Sequence, residues 1–356
     1  MTARIRYFDI AKGIAMICVV LGHSVLMVVP MSEAARLIYV FCFSFHMPLF
    51  FVLSGYFMHP DHPFAWRKES RELLLTYVLT AAAVVALHAL LALALRHDAA
   101  HVTGTWFVAA LYGSGADTSN ALIPMSRSIG AIWFLLALFW AHLLVHIAYR
   151  LPATPLWIIS FFAFGYFSSR YIWLPLSVQA GLTSALFVYL GCLAKRFDVM
   201  DLLCRRPYLW IVAAIPWGVA MWKFSSFGLA TNAFGDTPAL SIIGSVGGTA
   251  CIVGISIAID RWAASIGKAL AFIGRYTLAI FCAHLLENDV LPWVTIMGKT
   301  QPIVGYQLEP FFIFAVKCVL IAVIAVALYY VPAINSVFFP TLRKNKKTAT
   351  LNEQTT

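Results

Sequence analysis

The chain has 356 residues, of which 62% are hydrophobic and 11% charged, with a formal net charge of +10. Soluble domains are about one-quarter charged, so this composition excludes a water-soluble fold. The apolar residues come in blocks of roughly 20, the length that spans a bilayer. The basic residues sit in short segments between those blocks, as topology signals do, and this excludes a nucleic-acid-binding module.

The first apolar run covers 10–29. It is too long for the core of a cleavable signal peptide and no small-residue cleavage site follows it, so it reads as the first transmembrane helix. Further spans are predicted over 36–58, 72–95, 128–149, 154–170, 179–195, 208–227, 240–260, 268–286 and 311–333. The stretch 99–127 fits no span. Its apolar part, 106–112, is too short and reads as a re-entrant or interfacial piece. The expected fold is an all-α polytopic transmembrane bundle of about ten helices. With the N-terminus in the cytoplasm, most of the 25 Lys and Arg residues fall on the cytoplasmic side, so both termini are expected there. The expected layout is an integral membrane domain over 1–340 and a polar, disordered cytoplasmic tail over 341–356. No internal repeat and no appended soluble domain is evident, which leaves the chemistry to the membrane domain. The seven cysteines show no metal-binding spacing with histidine and read as small packing residues, so no metal is expected.

Ionisable residues inside apolar helices are functional candidates by default. Lys12 and His23 are eleven residues apart, about 16 Å of helical rise and only about 20° apart around the axis. Asp9 falls within about 40° of His23 on the same face. The three form a polar stripe from the cytoplasmic edge toward the bilayer centre, suited to a path leading to a buried base. A neutral histidine there can act as a general base on a hydroxyl. A histidine bonded between helices for packing fits the same geometry. In the second span, Pro48 is expected to kink the helix, Ser54-Gly55 permits a close approach, and His46 is a second polar candidate. The basic run Arg67-Lys68-Glu69-Ser70-Arg71 can bind phosphates or serve only as a topology signal. Near the C-terminus, Arg275 opens a helix that His284 closes. Topology and helix capping are the alternatives for these two.

Taken in order, these elements resemble the acyltransferase-3 family of membrane proteins. Lys12-x10-His23 is similar to its basic-residue-x10-His motif. Phe50-Phe51-Val52-Leu53-Ser54-Gly55-Tyr56 is similar to its FFxxSGY segment, and Lys68-x-x-Arg71 to its Arg-x-x-Arg loop. Gly274-Arg275-Tyr276-Thr277-Leu278 with His284 is similar to its G-R-x-S/T-L…H helix. Trp133-Phe134-Leu135 and Tyr189-Leu190-Gly191 also look like family segments. The wording of the first two motifs is closest to the fucose 4-O-acetylase-like and enterobacterial-common-antigen O-acetyltransferase-like branch.

The resemblance implies a multi-pass inner-membrane enzyme that moves an acyl group, acetyl in that branch, from cytoplasmic acyl-CoA to a hydroxyl of a sugar or lipid-linked glycan precursor. His23 would be the catalytic base or a transient acyl carrier. Lys12, Lys68 and Arg71 would hold the donor, and Asp9, His46, Ser54, Arg275 and His284 would support the site. Lys68 stands where the family often has arginine, and lysine cannot form a bidentate fork on a phosphate. The extracytoplasmic SGNH-type domain of some members has no counterpart in this sequence, so the membrane domain is expected to meet its acceptor directly. The competing readings are a transporter or flippase without covalent chemistry, disfavoured by the lack of an inverted repeat, and a ligand-sensing membrane domain.

Overall fold

A computed structural model describes residues 4–117 and 119–340. The predicted tail over 341–356 lies outside the described residues. The chain forms α1 (Arg6–Leu26), α2 (Glu33–Phe43), α3 (His46–Tyr56), α4 (Trp66–Glu69), α5 (Leu75–Ala94), α6 (Ala99–Tyr112), α7 (Trp133–Tyr149), α8 (Thr154–Ser168), α9 (Val178–Arg196), α10 (Val199–Arg205), α11 (Tyr208–Trp222), α12 (Pro238–Trp262), α13 (Ala264–Arg275), α14 (Thr277–Val290), α15 (Trp293–Val304), α16 (Glu309–Tyr330) and α17 (Asn335–Phe338). No β-strand, beyond two isolated bridges, occurs among the described residues. This is an all-α polytopic bundle. Helices suit the apolar sequence because they satisfy every backbone polar group within one segment.

Seven helical runs are long and apolar enough to cross a membrane, and α13 with α14 makes an eighth, bent by 70°. The predicted spans over 154–170 and 208–227 correspond to α8 and α11. Each has 15 residues, or about 22 Å, short of a hydrocarbon core of about 30 Å. The segment around 106–112 is a full helix, α6, packed against α5. The second span is broken at Ser44 and Phe45 into α2 and α3. The expected kink at Pro48 is therefore displaced. Pro48 occupies the first turn of α3, where its missing N–H has no intrahelical partner to lose.

The core is built on α1, with α13, α2, α12, α16 and α3 packed around it. Its best apolar window is 67% buried, against 17% for α16, which stands at the rim. Small residues let the backbones meet. A Cβ on Gly13 would fall 2.2 Å from the carbonyl oxygen of Leu270, and one on Gly274 would collide with that of Asp9. These two glycines clasp α1 to α13. Gly55 and Gly191 do the same between α3 and α9, against the carbonyls of Val188 and Val52. Close backbone approach through small residues is the main source of helix association in lipid. Gly274→Ala is expected to destabilise the protein by about 1–3 kcal/mol through overpacking, read as a lower unfolding temperature in detergent. Gly104→Ala, on exposed α6 with open space around it, serves as the comparison and leaves that temperature unchanged or raises it slightly.

Candidate active site

The period of α1 sets Lys12, Met16, Val19 and His23 on one face. The first three line a cavity of ≈ 230 Å³. On α14 the same pattern recurs: Thr277, Leu278 and Phe281 line the cavity, and His284 follows one turn further on. The His23 and His284 rings lie 5.3 Å apart between centroids. Both helices thus run from the cavity wall up to a histidine, and the two histidines meet beyond its far end. At its basic end the cavity is bounded by Lys12, Ser54 and Leu73.

His284 is held from behind. Its Nδ1 lies 2.7 Å from Glu287 Oε1. Lys317 Nζ donates to both Glu287 oxygens at 3.0 Å and to Asn288 Oδ1 at 2.9 Å. The indole N–H of Trp293 donates to the Glu287 carbonyl at 3.0 Å, and Lys317 Nζ sits 4.3 Å from the Trp293 ring centroid. Lys317, His284 and Glu287 are all at most 1% exposed. A carboxylate only accepts hydrogen bonds, so His284 carries its proton on Nδ1 and leaves Nε2 free. Carboxylate, oriented histidine and second histidine form the arrangement by which a base is held in position. His23 is half-buried and makes no side-chain hydrogen bond among the described residues.

Asp9 is buried, pairs with Arg4, and holds Lys12 Nζ at 2.9 Å. It fixes the lysine at the cavity edge. Ser54 faces the cavity and its Oγ bonds to His142 Nε2 on α7. His46 differs from expectation. Its Nδ1–H donates to the Cys42 carbonyl at 2.5 Å, because the break between α2 and α3 leaves that carbonyl without a helical partner. Its ring reaches His23 only through Phe43, 4.9 Å from His46 and 6.0 Å from His23.

Arg275 and His284 were expected on one helix, but α13 ends at Arg275 and the 70° bend separates them. Arg275 is exposed, away from the His23–His284 pair. His284 does not close α14, which runs on to Val290. The helix can continue because Glu287 finds Lys317 inside the bundle.

Arg71 lies inside a π-helical turn, Ser70–Leu74, a distortion often found at functional positions, and Lys68 stands two residues before it. Lys68 is exposed, 3.6 Å from Glu69 and 3.9 Å from Glu72. Arg71 is half-buried and donates to Ser336 Oγ at 3.2 Å. Leu73 of the same turn reaches the cavity, so the two basic residues stand beside its basic end.

Glu287, Asn288, Lys317, Trp293, His142 and Glu69 escaped the sequence reading. A lysine inside a 22-residue helix of mean hydropathy 2.9 in its best window was the available signal for Lys317, and His142 in apolar α7 was a second.

No curated protein and no solved structure shows significant similarity to the chain. A family model described as an acyltransferase domain matches residues 5–330, a range that includes α1 with both its motif residues, the cavity, and α16 with Lys317. With nine-tenths of its length matched in this way and a bundle whose helices bring His23 and His284 together, the chain belongs to the acyltransferase-3 family of membrane acyltransferases.

Proposed function

We propose that this membrane acyltransferase takes an acetyl group from acyl-CoA at the cytoplasmic face of the inner membrane and transfers it to a hydroxyl of a sugar or glycan precursor. The observation that carries the reading is an apolar cavity with Lys12 and a basic turn at one end and the His23–His284 pair just beyond the other. A coenzyme A donor has the matching layout: anionic phosphates, a long arm and a reactive thioester at the tip. The phosphates lie against Lys12, Lys68 and Arg71, and the thioester reaches the histidines. His23 removes the acceptor's proton as its oxygen attacks the thioester carbonyl. The carbon–sulfur bond then breaks and the thiolate takes up the proton. The Glu287–Lys317 pair fixes His284, which holds His23 and the acceptor in register. The resemblance of the first two motifs to sugar O-acetylases supports a sugar acceptor, and the excess of Lys and Arg on one side of the spans supports the orientation.

The test is turnover of labelled acetyl-CoA by the purified protein in nanodiscs with candidate sugar acceptors. Arg71→Ala is expected to raise the donor KM by about tenfold, in line with losing one charge-assisted hydrogen bond, with little change in kcat. A folded protein that neither binds acetyl-CoA nor releases coenzyme A with any acceptor would overturn the reading in favour of transport.

A further inference from the structure

A second hydrogen-bonded chain ends inside the cavity. Ser54 Oγ bonds to His142 Nε2, and His142 Nδ1 lies 2.8 Å from Glu69 Oε2. The His142 and Glu69 side chains are each 12% exposed. Three elements supply the parts: the last turn of α3, the middle of α7, and α4 just before the π turn. The sequence separations, 88 and 73 residues, hide the arrangement from any local motif.

The chain has a direction. Glu69 can only accept, so His142 donates from Nδ1 and its Nε2 is left with a lone pair. Ser54 must then donate its single proton to His142. Ser54 lines the cavity, and with its proton given to His142 its hydroxyl has only lone pairs left for a ligand there. Of the other polar groups on the wall, Lys12 is a donor engaged by Asp9, and Thr277 donates back to the Gly274 carbonyl at 2.6 Å, which leaves a second hydroxyl acceptor but with no histidine–carboxylate unit behind it. An amide N–H brought into this space loses its water and needs an acceptor, at a cost of roughly 1–3 kcal/mol if none is found.

We infer that Ser54 is the binding group for a secondary amide in the arm of the acyl donor, held as an acceptor by His142 and Glu69 as positioning residues. This rests on the acyl-CoA reading and narrows it. The site selects thioesters of the pantetheine class, with an amide some distance from the sulfur, over simple alkyl thioesters. Serine, histidine and carboxylate in a row also resemble a nucleophilic triad, but two features speak against that role. Ser54 lies within α3, whose backbone N–H groups are spent on the helix's own hydrogen bonds, so no oxyanion hole backs it. It is also eight residues, or about 12 Å of rise, along α3 from His46, whose ring stands one phenylalanine away from His23.

The test compares wild type with Ser54→Ala and His142→Phe on three acetyl donors: acetyl-pantetheine, the acetyl thioester of N-acetylcysteamine, and S-ethyl thioacetate. Unfolding temperatures establish that each variant is folded. The expected result is a donor KM about tenfold higher for acetyl-pantetheine, with kcat within about twofold. The penalty shrinks as amides are removed and falls below about twofold for S-ethyl thioacetate. An equal penalty on all three donors would overturn the inference, as would a kcat collapse accompanied by acetyl-labelled Ser54 in wild-type peptides. If wild type turns over no thioester at all, the donor reading fails separately, and the Ser54 assignment is decided by calorimetric binding of free pantetheine. Tighter binding by wild type than by Ser54→Ala upholds it, and equal binding overturns it.

Discussion

His23→Ala is expected to keep the fold and to lose acyl transfer by about 10²–10⁴-fold, the range removed with a general base. The side chain makes no hydrogen bond among the described residues, so deleting it breaks no scaffold contact of that kind. The kinetics should show a fall in kcat with the donor KM nearly unchanged, because the residues proposed to hold the donor's phosphates stand toward the opposite end of the cavity. His284→Ala is expected to be less clean. It leaves Glu287 with one fewer partner in a buried site and so lowers stability together with rate. Coenzyme A release measured at matched amounts of folded protein separates the two effects. Retained turnover in His23→Ala would remove the base from the mechanism.

Lys317→Met is expected to be the most damaging single change to the fold. Lys317 is fully buried and bonds both oxygens of Glu287. Removing one partner of a buried ion pair leaves an uncompensated charge and costs about 3–5 kcal/mol, a large share of the 5–15 kcal/mol that holds a typical protein together. Little monodisperse protein should survive detergent extraction. Combining Lys317→Met with Glu287→Gln removes both charges while keeping an acceptor for His284, and is expected to recover most of the lost yield and unfolding temperature. If the single change extracts and unfolds like wild type, the buried pair contributes nothing to stability.

The coarse architecture was legible because apolar length and charge placement are local properties. Each predicted span matches a helix or helix pair, and the phase of Lys12 and His23 on α1 followed from helical geometry alone. Three kinds of information were not local. The break at Ser44–Phe45 depends on how α3 must enter beside α9, and Pro48, the visible signal, lies just past it. The bend after Arg275 separated two residues that a straight helix would have shared. The partners of the two histidine–carboxylate units come from helices far apart in sequence: His284 and Glu287 need Lys317, and His142 needs Glu69 and Ser54. Lys317 was visible in the sequence as a cation in a strongly apolar helix, but its partner Glu287 lies 30 residues away on another helix.

The apolar cavity wall has an electrical consequence. The basic end and the histidine pair are separated by Met16, Val19, Phe50, Phe134 and Phe281, with no polar side chain among them. A chain of waters needs hydrogen-bonding partners along its length, and this stretch offers none. When empty, this stretch therefore offers no path for a chain of waters carrying protons. Under the acyl-CoA reading proposed above, the donor's arm crosses a stretch that carries no proton wire.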